Sequence, residues 1–83
     1  MNIQELCKKL KELNISDNLY YIHGLCGSPN DDEKLSMIIK KDMEGMRYEI
    51  YFKERGVKSI IRVFNSEEEA CYFFLREVLK EIL

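Results

Sequence analysis

Between residues 19 and 64 four segments carry strand character, and the links joining them are only a few residues long. LYYIHGL (19–25), KLSMIIKK (34–41), residues 46–53 and VKSIIRVF (57–64) are rich in β-branched and aromatic side chains. A parallel pair needs a crossover of about a dozen residues or more, usually a helix, and no link here has room for one. The spacing therefore predicts a four-stranded antiparallel meander. CGSPNDDE (26–33) is a loop by composition, with the only proline and three consecutive acids. DMEG (42–45) and the Gly56 turn are tight connections, each with a glycine free to adopt positive φ.

Helical patterns flank the strands. Asn2 and Glu5 have the spacing of a capping box, and Ile3, Leu6, Cys7, Leu10 and Leu13 recur on one side of residues 2–13. Asn14 suits the left-handed residue that ends such a helix. Ser66 and Glu69 repeat the capping signal before Ala70, Phe74, Val78 and Ile82, an i,i+4 row with Cys71, Leu75 and Leu79 beside it. Arg76, Glu77, Lys80 and Glu81 fall on the other side. The order α-β-β-β-β-α predicts one α+β domain over residues 1–83, a two-layer sandwich with both helices on one face of the sheet.

Alternation then assigns the faces. Met46, Tyr48, Ile50 and Phe52 turn toward the helices, as do Leu35, Met37 and Ile39. Arg47, Glu49, Tyr51, Lys53 and Arg55 point away, joined by Ser36, Ile38, Lys40, Lys58, Ile60 and Arg62. The expected result is a bare mixed-charge face with Tyr51, Ile38 and Ile60 set in it. Tyr and Arg are favoured at protein interfaces, whereas an ordinary solvated face laced with cross-strand ion pairs has the same composition. Asp31, Asp32 and Glu33 form a separate acidic loop suited to a basic partner.

Chemistry-bearing patterns are weak. His23 and Cys26 lie close enough in sequence to meet, but no orienting acid accompanies them. His23, Cys26, Cys7 and Cys71 lack the paired close spacings of a structural zinc site, and Cys7 and Cys71 sit in apolar helical rows where a thiol packs as a small hydrophobe. GLCGS (24–28) has no lysine signature and no following helix for a phosphate. The three acids at 31–33 have neither the spacing nor the glycine of a calcium loop. No cofactor and no catalytic residue is expected.

With 83 residues, one core must serve the whole chain. The apolar content of 46% and charged content of 34% fit a globular domain. A formal charge of −2, with 13 basic residues scattered among 15 acidic ones, argues against nucleic acid as a partner. No apolar run approaches the ~20 residues that span a bilayer, so no membrane contact is expected. The N-terminal stretch lacks the layout of a signal peptide, which points to the cytoplasm and to reduced thiols at all three cysteines.

One combination is more distinctive. YEIYFKERG (48–56), VKSIIRVF, NSEEEACYFFL (65–75) and, near the start, YYIHG (20–24) together resemble small bacterial immunity proteins encoded beside polymorphic or contact-dependent toxins. The resemblance covers about residues 19–80. It implies a protein that binds a cognate toxin domain, one of basic character, and occludes it without catalysis. Candidate contacts are then Tyr51, Arg47, Glu49, the Lys53-Glu54-Arg55 turn and Asp31, Asp32 and Glu33. The alternative is a small regulatory or self-associating domain that dimerises through the open face or an edge strand. On the first reading, Tyr51→Ala or charge reversal at Glu54 and Arg55 weakens partner binding and leaves the melting of the isolated domain almost unchanged.

Overall fold

The structure, a computed structural model, describes residues 1–82, with Ile82 described by its backbone alone. The Ile82 end of the expected apolar row therefore lies outside the described side chains. Helix α1 (Ile3–Glu12) starts on the predicted capping box. Asn2 Oδ1 accepts from the Glu5 N–H at 2.8 Å, and Glu5 Oε1 accepts from the Asn2 N–H at 3.1 Å. Asn14 follows the helix at φ 59°, the left-handed conformation its short polar side chain tolerates. Helix α2 (Glu67–Ile82) is capped by Ser66, whose Oγ accepts from the Glu69 N–H at 3.3 Å. The Glu67 carboxylate accepts from the Ile3 N–H at 2.9 Å, which ties the start of one helix to the start of the other.

The sheet has five strands: β1 (Tyr20–Ile22), β2 (Cys26–Gly27), β3 (Leu35–Asp42), β4 (Gly45–Glu54) and β5 (Val57–Phe64). Their spatial order is β2-β1-β3-β4-β5. Strands β3, β4 and β5 form the antiparallel meander that their short links require. The first predicted strand does not join it in that way. His23 and Gly24 both take positive φ, 46° and 72°, and the Leu25 N–H returns to the Ile22 carbonyl at 2.7 Å. Two consecutive residues at positive φ match the geometry of a type I′ hairpin turn. The turn splits the 19–25 run, and β2 folds back against β1. Residues 28–34 then carry the chain across the sheet without a helix, so that β3 runs parallel to β1, Tyr20 beside Leu35 and Ile22 beside Met37. The sheet is thus five-stranded and mixed. Gly27 is fixed by this crossing: at φ 88°, a Cβ there would stand 2.4 Å from the Tyr20 carbonyl oxygen.

Both helices share one core with one face of the sheet. Ile3, Leu6 and Leu10 of α1 and Ala70, Cys71, Phe74 and Val78 of α2 close over Tyr20, Ile22, Leu35, Met37, Tyr48 and Ile50. The Tyr20 and Phe74 rings meet edge to face at 6.5 Å. Met46, expected inward, is 42% exposed at the start of β4.

The expectation of three reduced cysteines is also corrected. Cys7 and Cys26 form a disulfide between α1 and β2, with a Cα–Cα distance of 6.1 Å. The spacing could not show this, because Cys26 reaches the inner side of α1 only after the His23-Gly24 turn. Cys71 is a buried free thiol, pushed up to about 11 chiefly by burial.

Candidate partner-binding surfaces

The sheet face away from the helices carries Ser36, Glu49, Tyr51, Lys53, Lys58 and Ile60, in register across β3, β4 and β5. Sequence alternation predicts it bare. The crossing segment 28–34 instead meets this face toward the end of β4, through contacts to Tyr51, Lys53 and Arg55, and Tyr51 is only 2% exposed. The Tyr51 hydroxyl donates to Asp31 Oδ2 at 2.6 Å, and the Lys53 ammonium reaches Asp31 at 3.3 Å and Asp32 at 3.6 Å. The Glu33 N–H donates to the Lys53 carbonyl at 2.9 Å, and Glu33 Oε1 accepts from the Arg55 N–H at 2.9 Å. Above the Tyr51 ring, the Lys58 ammonium sits 4.5 Å from the centroid.

The acids of the loop therefore work as a clasp. The Tyr51 hydroxyl first, and Lys53 second, hold the Asp31 carboxyl below the usual carboxylate range. Burial and then Asp31 push the Tyr51 hydroxyl up, which keeps it protonated as the donor. Next to this cluster Glu49 is nearly buried between Lys58 at 2.9 Å and Lys40 at 3.3 Å, and the Lys58 bond leads in lowering its carboxyl.

Of the predicted contact residues, the structure brings together Tyr51, Lys53, Asp31 and Asp32, with Glu33 and Arg55 adjoining. Glu49 belongs to the neighbouring Lys40–Lys58 pair. Arg47 is elsewhere, at the start of β4, where its Nε donates to Asp42 at 2.9 Å. Glu54 is exposed at the end of β4. The Arg55-Gly56 turn, at φ 51° and 78°, is a second hairpin turn of the positive-φ kind. Lys53 before it and Arg55 within it are engaged internally, one on the clasp and one through its backbone. Because Tyr51 is sealed, the expectation that Tyr51→Ala leaves melting almost unchanged does not hold.

His23 and Cys26 are both committed. His23 Nδ1 accepts from the Ile39 N–H at 3.0 Å, and Cys26 Sγ is in the disulfide. The same disulfide removes two sulfurs from the weighed zinc set. No three of the described His, Cys, Asp and Glu side chains gather in a metal-binding arrangement. In the GLCGS segment, Ser28 Oγ accepts from Lys34 Nζ at 3.0 Å.

The open part of the molecule is β5. Strand β4 pairs it on one side, and its other side forms the sheet edge among the described residues. Val57, Ile60, Ile61 and Val63 are exposed, Val57 at 66% and Ile60 at 55%. A register shift opposite Ile50 and Tyr51 leaves Ile61 as an extra residue: Tyr51 faces Ile60 and Ile50 faces Arg62. This bulge corrects the predicted face of Arg62. Lys58 and Ile60 stay with Tyr51, whereas Arg62 and Phe64 turn toward the helices. The doublet Ile60-Ile61 within VKSIIRVF, which interrupts strict alternation, is the signal that could have located it.

On the helix side a groove of about 1110 Å³ opens between β5 and the flank of α2. Phe64, Tyr72, Phe73 and Leu79 give it apolar walls. The Arg62 guanidinium stacks 4.9 Å from Phe64 and 5.3 Å from Phe73, and Arg76 covers Phe73 at 5.4 Å. Leu75, Glu69 and Lys80 complete the lining, and Lys80 pairs with Glu77 at 3.4 Å. Neither Arg62 nor Arg76 has a carboxylate within ion-pair distance among the described residues.

No described helix is long and apolar enough to cross a membrane. No protein-family model, curated protein or solved structure matches the chain.

Proposed function

We propose that the chain is a protein-binding module, and that it acts as an immunity protein: it covers the working surface of a toxin domain and performs no reaction of its own. The observation that carries the binding role is β5. An edge strand displays unpaired N–H and C=O groups, and folded proteins ordinarily blunt such edges with charge, proline or a covering element. Here the edge has Lys58, Arg62 and a bulge at Ile61, yet it still keeps Val57, Ile60, Ile61 and Val63 in the open. The narrower toxin-neutralising role rests on the likeness of YEIYFKERG, VKSIIRVF and NSEEEACYFFL to immunity proteins.

The cytoplasm is the compartment this role requires, since an immunity protein guards the cell that makes it. A disulfide between Cys7 and Cys26 persists more readily in an oxidising compartment. Counting free thiols in protein purified anaerobically from the cytoplasm decides between the two: three reduced cysteines fit the proposed location.

The functional test is genetic and biochemical. The reading frame beside this one is expressed alone and together with the chain. The expected result is growth arrest alone, rescue on co-expression, and a stable complex of the two products. A harmless neighbour that forms no complex rules out toxin neutralisation. Self-association is the second reading, favoured by the same apolar edge, and light scattering on the purified chain separates it from a monomeric binder.

A further inference from the structure

We infer that the groove beside β5 receives an acidic, extended segment of the partner protein, added to the sheet as a sixth strand. The inference rests on the protein-binding reading and deepens it by naming the chemistry of the occupant. Three observations combine. Strand β5 is eight residues long and forms an edge of the sheet. A strand laid along such an edge gains main-chain hydrogen bonds whatever its sequence, and its side chains point alternately to the two faces. On the helix face they fall over the groove, against Phe64, Phe73 and Leu79 with Arg62 and Arg76 alongside. On the other face they meet Ile60 and Val63, which share the side of Tyr51 and Glu49.

Charge selects among occupants. The chain carries −2 overall, yet the groove presents three cations against the single carboxylate of Glu69. Lys80 is partly answered by Glu77, so the two guanidinium groups supply the unanswered charge. Arginine stacked on an aromatic ring keeps its N–H donors at the edge of its plane, and that fork fits a carboxylate bidentately. A second copy of this chain is the poorer fit. Strand β5 holds Lys58 and Arg62 and no acid, so a two-fold pairing of β5 with itself brings no carboxylate of that strand to the guanidinium groups. The segment that fits has carboxylates at every second position, facing the groove, and apolar side chains between them.

The probe is a capped eight-residue peptide alternating Glu and Val, with a peptide alternating Lys and Val as control, each titrated into the 15N-labelled chain. The expected result is that the acidic peptide shifts the amides of β5 and of residues 72–80 and binds about tenfold more tightly than the basic one. Equal binding of the two peptides, shifts confined to other regions, or no shifts with the acidic peptide overturns the inference. Arg62→Glu with Arg76→Glu reverses the preference between the peptides if the assignment is right. Should that variant not fold, the two peptides on the native chain still decide the matter. A dimer through β5 in light scattering also overturns it. If the acidic peptide binds β5 while the neighbouring gene product does not, toxin neutralisation fails and the docking inference stands. If that product binds the double variant as tightly as the native chain, the docking inference fails and the function survives.

Discussion

Two regions of this molecule share the same ingredients and use them differently. Around Tyr51, an aromatic ring lies under Lys58, with Lys53 beside it. Around Phe73, an aromatic ring lies under Arg62 and Arg76. The first group comes with its own counter-charges, Asp31, Asp32 and Glu49, supplied by the crossing loop and by β4. The second group has no carboxylate paired to its two arginines among the described residues. A list of aromatic and charged residues cannot separate a closed cluster from an open one; the location of the answering charge can. The Tyr51 region is part of the folded core's support, and the Phe73 groove is a surface with valence left over.

That contrast can be broken by mutation, and the largest effect belongs to the closed side. Tyr51→Ala is expected to destabilise the domain by about 3–5 kcal/mol in urea unfolding, as for other buried aromatics. Against a typical total of about 5–15 kcal/mol, this takes the chain toward unfolding. An unchanged midpoint shows that the loop does not seal the ring. Next comes the staple from which that loop departs. Cys7→Ser with Cys26→Ser opens a link of sequence separation 19 and is expected to cost about 2–4 kcal/mol. Amide exchange is expected to rise most in residues 20–34 and least along β4 and β5. Uniform loosening contradicts the division.

A smaller effect tests the clasp through pH. The folded-state Asp31 carboxyl binds its proton more weakly than in the unfolded chain, so its contribution is present above the unfolded value near 4. It fades as pH falls through the lower folded value. The native chain is therefore expected to lose more stability than Asp31→Asn between about pH 5 and pH 2. Parallel pH curves for the two proteins count against the Tyr51–Asp31 bond. The smallest effect on stability belongs to the open side. Arg62→Glu with Arg76→Glu is expected to change unfolding by no more than about 1 kcal/mol, the scale of exposed cation–π contacts. A loss of several kcal/mol shows that the groove is structural after all.

The legible parts of this fold were those fixed by local chemistry. The Asn2–Glu5 box, Asn14 and Ser66 mark helix ends by bonds made within a few residues, and the short turns at 42–45 and 55–56 dictate antiparallel neighbours. The mixed topology was hidden because His23, an uncommon residue at positive φ, makes the turn that detaches β2. Parallel pairing of β1 with β3 then follows from a path over the sheet, which residue spacing does not record. The candidate surfaces were misread for a related reason. Alternation correctly put Tyr51 on the face away from the helices. Whether a loop then lies on that face depends on contacts between residues twenty or more apart, such as Asp31 with Tyr51 at separation 20 and Lys53 at separation 22.

The extra residue in β5 has an effect that no exchange of side chains could produce. Four positions apart, Lys58 and Arg62 would share a face of a regular strand; the bulge sends one over the tyrosine and the other over the phenylalanines. It also puts a kink in the strand, so that a stranger settles along part of the margin while a long flat stack of identical copies is discouraged. Removing Ile61 restores a straight ladder and keeps both cations in place. The shortened chain is therefore the version to watch for fibres: its weakness lies in its length, with every remaining letter unaltered.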